Sequence, residues 1–159
     1  MHLNERYGAA SKKFAKHVAK LARRRKLKTM LDYGAGKQAL AEALFSEKIK
    51  ITAYDPAIPE IANLPGGQFD LVCCIDVLEH IEPNCLDDVL HSVASKAGKF
   101  AFITIHTGPA GKYLSDGRNA HLIQQPILWW IEKLAPLFKK VRARMHNETT
   151  IIAICEAHH

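Results

Sequence analysis

Two short stretches combine residue types that can hold a nucleoside. Asp32-Tyr33-Gly34-Ala35-Gly36-Lys37-Gln38 places two glycines directly after the apolar run Thr29-Met30-Leu31. Glycines at such a point let the backbone turn tightly and approach a ligand, with the start of the following helix aimed at it. Asp55 ends the next run, Lys50-Ile51-Thr52-Ala53-Tyr54, about twenty residues further on and just before Pro56; an acid at that spacing can accept both hydroxyls of a ribose. Either feature alone is common. Together, each closing a strand, they point to an adenosine-containing ligand. The remaining candidates are histidines: His106 after a later strand, His121 in Asn119-Ala120-His121-Leu122, and His80 in Leu78-Glu79-His80. An imidazole takes a proton near neutral pH, so His121 and His106 are the candidate general bases. His80 also suits a structural role, capping the helix that follows. Arg118, in the same stretch as His121, is the candidate for binding a carboxylate or phosphate on a substrate.

These residues need a scaffold, and the chain alternates strand and helix patterns. Strands are expected over residues 29–33, 50–54, 69–75 and 99–105, and helices over 9–26, 37–47, 86–96 and 126–137. Phe69-Asp70-Leu71-Val72-Cys73-Cys74-Ile75 is the continuous apolar run of a strand covered on both faces. The end of the chain, 139–145 and 149–156 around His146-Asn147, reads as an antiparallel hairpin. Alternation of this kind gives a parallel α/β sheet with right-handed crossovers and ligands at the carboxyl ends of the strands. Residues 106–125, with Gly108-Pro109, Gly111 and Asp116-Gly117, form a long loop at that end, and long ordered loops are usually functional. In the 9–26 helix, Phe14, Val18, Leu21 and Ala22 make the buried face, and Ser11 is its candidate cap. Of Trp129 and Trp130, one is expected to enter the core, because adjacent helical residues point about 100° apart.

The identity of the adenosine ligand has two readings. Gly34, Gly36 and Ala39 fit the G-x-G-x-x-G/A fingerprint of nicotinamide and flavin proteins. Against it, Asp32 sets a carboxylate just before the glycines, where it suits a cationic amino group better than a pyrophosphate, and 159 residues leave little room for a second mononucleotide half.

Leu31-Asp32-Tyr33-Gly34-Ala35-Gly36-Lys37 resembles motif I of the class I, Rossmann-like S-adenosylmethionine-dependent methyltransferases. Tyr54-Asp55 is similar to their ribose-binding position, and the segment from Phe69 to Ile81 to their fourth-strand signature with its Leu-Glu-His ending. Tyr54 to Pro59, Asp76 to Pro83 and Asp116 to Leu122 resemble a group of small bacterial and phage members. The resemblance implies a single-domain α/β three-layer sandwich with a mostly parallel sheet and a C-terminal antiparallel strand. It implies S-adenosylmethionine as cofactor, S-adenosylhomocysteine as product, and an acceptor of unspecified chemistry. Carried onto this sequence, the cofactor-binding residues are Asp32, Tyr33, Gly34, Ala35, Gly36, Asp55, Pro56, Ile75, Asp76 and Val77, with Asp32 on the amino group, Asp55 on the ribose and Asp76 beside the sulfonium, near Leu78 and His80. There are two departures. Gln38 stands where the family has a third glycine, and about a dozen residues separate Asp55 from Phe69, too few for a further helix and strand. The third strand is therefore expected to be reduced or missing, and Glu60 is the one acid left to contact adenine.

Composition narrows the rest. The net charge of +6 is uneven: residues 1–28 carry ten Lys/Arg against Glu5 alone, so the body from residue 29 on is acidic. That basic segment (Lys12 to Lys28, in an N-terminal helix over 1–27 packed on a 28–159 domain) is either a solvated helix face or a platform for nucleic acid. No apolar run approaches the ~20 residues of a membrane span, and no secretory signal is recognisable, so a cytoplasmic protein is expected. Cys73, Cys74, Cys85 and Cys155 lack ligand or disulfide spacing and read as buried free thiols; no metal is expected, beyond adventitious binding at His158-His159. Three functions follow. The first is methylation of a small molecule, sugar or lipid-linked glycan, marked by a closed pocket between Ile105 and Trp130. The second is nucleic-acid methylation using the basic helix. The third is a non-catalytic adenosine-ligand-binding or NAD-binding module.

Overall fold

The computed structural model describes residues 9–158. Six strands form one sheet in the order β2-β1-β3-β4-β6-β5: β1 Thr29–Tyr33, β2 Lys50–Tyr54, β3 Phe69–Ile75, β4 Ala97–His106, β5 Lys140–Met145 and β6 Thr150–Glu156. β2, β1, β3 and β4 run parallel, and β6 is antiparallel to both its neighbours. Side chains alternate across the sheet, so two cores form. Leu31, Val72, Cys74, Ala101, Ile103 and Ile151 face one way, toward helices α3 (Leu86–Lys96) and α4 (Ile127–Leu134). Met30, Leu71, Cys73, Ile75, Phe102 and Ile152 face the other, toward α1 (Ala15–Arg25) and α2 (Ala39–Ala43). This is a three-layer α/β sandwich, with the expected missing strand: between β2 and β3 the chain makes only a 3-10 turn, Pro59–Ile61, in which Glu60 is exposed.

The basic helix is part of the domain. Val18 is fully buried, and Phe14, Leu21 and Ala22 pack with it, as the apolar face requires. Three details differ from expectation. The α-helix starts at Ala15 after a 3-10 segment, Ala9–Phe14, and its N-cap position is Phe14 rather than Ser11, with no side-chain cap. α2 is one turn rather than three, because Gln38 enters it with φ of 60° and the chain loosens into turns after Ala43. Cys85 is exposed, while the other three thiols are buried and free.

The strand order lays four carboxyl-terminal ends side by side. They are Asp55 after β2, Gly34 to Gly36 after β1, Asp76 to His80 after β3, and His106 closing β4.

Candidate functional site

The glycine turn is locked before any ligand arrives. Gly34 has φ of 81° and Gly36 has φ of 53°, left-handed values that favour glycine. The N–H groups of Gly34 and Ala35 both donate to the Tyr54 carbonyl, at 2.8 and 3.0 Å, and that of Gly36 donates to Asp55 Oδ2 at 2.9 Å. Asp55 Oδ1 accepts from Ala57 N–H at 2.9 Å, so this carboxylate, 2% exposed, staples the glycine turn to the loop after β2. A Cβ on Gly34 would stand 2.5 Å from Val77 Cγ2, which interlocks the turns after β1 and β3.

Asp32 lies under this turn, 2% exposed, with Oδ2 buried and without a hydrogen-bond partner. Burial, and then the nearby Asp55 carboxylate, push its pKa up to about 7. A buried carboxylate oxygen left unpartnered is costly unless something cationic or donating completes it. The amino group of S-adenosylmethionine is such a partner. A dinucleotide pyrophosphate is a poor fit, because the N–H groups that would cradle it already donate to Tyr54 and Asp55, and Asp32 would repel it.

The other half of the site is built on Asp76 to His80. Asp76 takes φ of 53°, a strained conformation for a non-glycine residue. Thr104 holds it there: its hydroxyl donates to Asp76 Oδ1 at 2.7 Å, and its backbone carbonyl accepts from Asp76 N–H at 3.1 Å. Glu79 is fully buried. Its Oε1 accepts from His106 N–H at 3.2 Å, its Oε2 has no partner, and burial followed by the Asp76 charge pushes its pKa up to about 8. The long loop folds over this turn, with Ile123 N–H on the Glu79 carbonyl at 3.1 Å. Asn119 braces it, accepting from the N–H groups of Ala110 and His121 and donating to Ala110 O, all at 2.9 Å.

Three imidazoles gather here. The His121 ring is 4.7 Å from that of His80 and 4.9 Å from that of His106. His80 Nδ1 lies 3.0 Å from Ala120 O and His121 Nδ1 lies 2.7 Å from Gly108 O; each therefore carries the proton on Nδ1 and bares Nε2. His106 Nδ1 faces both the N–H and the carbonyl of Gly108, at 3.2 and 3.3 Å. Desolvation of the His80 ring, then the neighbouring His121, hold its pKa below the ordinary value, although the residue stands exposed at the rim.

A family model described as a methyltransferase domain matches residues 5–157. The chain belongs to that methyltransferase family. No curated protein matches its sequence. Among solved structures, the methyltransferase is similar to magnesium protoporphyrin IX methyltransferase from Synechocystis PCC 6803 with bound SAH, at TM-score 0.69 and 15% identity, covering 94% of this chain and 84% of that one. It is similar to 1,6-didemethyltoxoflavin-N1-methyltransferase from Burkholderia thailandensis, bound to 1,6-didemethyltoxoflavin and S-adenosylhomocysteine, at TM-score 0.68 and 16% identity, covering 94% and 79%. The DhpI–SAH complex matches at TM-score 0.63 and 17% identity, covering 95% of each chain. At these identities the likeness establishes the class I fold.

Within the methyltransferase, Asp32, Gly34, Ala35, Gly36, Asp55, Asp76 and Val77 converge on the strand ends as the sequence implied. Pro56 is exposed beside them and Ile75 is in the core. Tyr33 turns its side chain away into the core, donating to Ser92 Oγ at 3.1 Å, and so offers the site only its backbone. His80 caps no helix: the N-cap position of α3 is Cys85, and His80 binds the long loop instead. Arg118 is engaged with Glu82 through two bonds of 2.7 and 2.9 Å and with Asp116 at 2.8 Å, which fastens the loop rather than presenting a free cation. Ile105 and Trp130 are both fully buried in one core, so neither side chain opens onto solvent. Trp129 remains partly exposed, with Lys133 Nζ 5.4 Å above its ring. Glu79 and Thr104 were not singled out from sequence. The Leu-Glu-His motif contains Glu79, but only the fold reveals that its carboxylate points inward.

Proposed function

We propose that the chain transfers the methyl group of S-adenosylmethionine to a small molecule bound beneath the loop 107–126. Asp32 carries the cofactor reading: a buried, unpartnered carboxylate oxygen beneath a glycine turn whose N–H groups are already engaged. In this reading Asp32 holds the cofactor's amino group, Asp55 stands at the ribose, and Asp76 borders the sulfonium. When bound, S-adenosylmethionine supplies an electrophilic methyl on a neutral leaving group, so the protein's task is alignment and exclusion of water. A hydroxyl or ring-nitrogen acceptor must also lose a proton, and His121, with Nε2 bare, takes it, with His106 beside it. The similar structures named for magnesium protoporphyrin IX and 1,6-didemethyltoxoflavin methylation support a small-molecule acceptor.

Calorimetric titration with S-adenosylmethionine tests the cofactor, with NADH as control. Micromolar binding that is lost in Asp32→Asn and absent for NADH supports the reading; NADH binding in place of S-adenosylmethionine sinks it. Asp32→Asn is preferable to Asp55→Ala, which would also release the glycine turn.

A second reading, an acceptor carried on nucleic acid, is favoured by one observation. Lys20, Arg24 and Arg25 of α1 line a groove of about 480 Å³ together with Lys140, Arg142 and Arg144 of β5. Its floor includes Phe100 and Phe102, away from the carboxyl end of β4, so it would grip a polyanion at a distance from the histidines. Binding of a short RNA that weakens steeply with salt, and is lost in Arg142→Ala/Arg144→Ala, is the expected result for that reading.

A further inference from the structure

We infer that Glu79, His80 and His121 form a binding site for one divalent first-row transition-metal ion at the acceptor end of the site. The inference rests on the methyltransferase reading above and deepens it. One carboxylate oxygen and two ring nitrogens from these residues lie within 4.8 Å of one another. Donors on one such ion stand roughly 3 to 4 Å apart, so closure needs an inward shift on the order of 1 Å. Mixed imidazole and carboxylate donors suit zinc, iron, cobalt or manganese.

Two further observations point to a ligand rather than to a casual cluster. The first is Glu79 Oε2, an unpartnered oxygen on a side chain with no exposed surface. Its partner oxygen accepts from His106 N–H, so the carboxylate is held in place. The second is the orientation of both imidazoles. His80 and His121 donate Nδ1–H to the backbone carbonyls of Ala120 and Gly108, leaving Nε2 free. Metal-binding histidines are typically held in this way, the second ring nitrogen bonded to a carbonyl or carboxylate that fixes the tautomer. The three donors come from two segments, the turn after β3 and the long loop, so an ion would also pin the loop down. Asp76 stands nearby with Oδ1 engaged by Thr104, adding negative charge to the site without being among the donors.

The ion alters one role in the transfer. An acceptor hydroxyl held on the metal would be more acidic and would lose its proton to solvent, since His121 Nε2 would be a ligand rather than a base. The resulting oxygen anion attacks the methyl carbon of the sulfonium. The carbon–oxygen bond forms as the carbon–sulfur bond breaks, and the sulfur leaves as a neutral thioether with the bonding pair. No electrons are gained or lost by the metal.

Cobalt(II) titration of the full chain, stripped of metal with EDTA, tests the site through visible absorption and calorimetry. One equivalent of cobalt is expected, bound about a hundredfold more weakly, or more weakly still, in Glu79→Gln, in His80→Asn and in His121→Asn. His146→Asn, at the separate His17–His146 ring pair, is expected to leave it unchanged. No binding to the wild type, or binding that only His146→Asn weakens, overturns the site. Glu79→Gln is isosteric and His80 lies at the rim, so at least one variant keeps its fold, as circular dichroism checks. S-adenosylmethionine is titrated into the same stripped protein. If it binds while cobalt does not, the metal site alone is overturned; if neither binds, the methyltransferase reading beneath it fails as well.

Discussion

In the proposed reading cofactor recognition turns on Asp32, and its burial gives recognition a pH signature. Its pKa stands at about 7 because of desolvation first and the Asp55 carboxylate second, with the buried thiols of Cys73 and Cys74 as its other titratable neighbours. The ammonium of S-adenosylmethionine prefers the ionised form, so below pH 7 binding must first remove a proton. Affinity is expected to fall about tenfold for each pH unit below 7, levelling off above it. Titrations from pH 5.5 to 7.5 check this; an unchanged slope in Asp32→Asn would assign the dependence elsewhere. Gly34 provides a second test at the same scale. Alanine there meets Val77 Cγ2 and must also hold φ of 81°, so Gly34→Ala is expected to lose about 2 to 3 kcal/mol in a urea melt. Adding Val77→Ala removes the clash but leaves the backbone strain, so rescue is expected to be partial.

Among the elements, α2 shows what a departure from the family pattern costs. Gln38 opens it in the left-handed region, with φ of 60°, where a glycine would sit without strain. Gln38→Gly is expected to stabilise the fold by up to about 1 kcal/mol, relief of strain being partly offset by the greater entropy of an unfolded glycine, with the midpoint of urea unfolding as the readout. The same element shows where sequence patterns stop. Leu40 and Leu44 are buried as the helical spacing required, but periodicity carries no information about Gln38's backbone, and α2 closes after Ala43. Strands were far more legible: the apolar run of β3 is bounded in the fold by the same residues as in the sequence, since burial on both faces leaves an uninterrupted apolar signature. The place of the carboxyl-end residues was legible for a related reason: the glycine turn and Asp55 each close a strand, and those strand ends were clear from the apolar runs before them. Arg118 was not, because its partner Glu82 is distant in sequence and a salt bridge leaves no local pattern. Glu79 was hidden similarly, as a lone acid in a turn gives no sign of facing inward.

For the whole molecule, the unpartnered carboxylate couples cofactor binding to stability. Asp32's folded pKa lies above its unfolded value, so its contribution to the stability of the free protein is fully present below about pH 4 and is lost as pH rises through about 7. Asp32→Asn removes that loss. The free mutant is therefore expected to match or exceed the wild type in melting temperature near pH 8, and to lose this advantage near pH 5. Ligand works against that order. At a hundred times Kd, S-adenosylmethionine adds about 2.7 kcal/mol, or roughly 5 to 10 °C for a domain of this size. That shift is expected in the wild type at pH 8, to shrink toward pH 5, and to be small in Asp32→Asn at either pH. Differential scanning fluorimetry across pH with and without ligand reads all these quantities in one experiment. The two proteins share every other titrating group, so their difference isolates Asp32. A ligand shift of equal size in both would mean that another group holds the amino end of the cofactor, and that the buried carboxylate serves the sheet rather than the ligand.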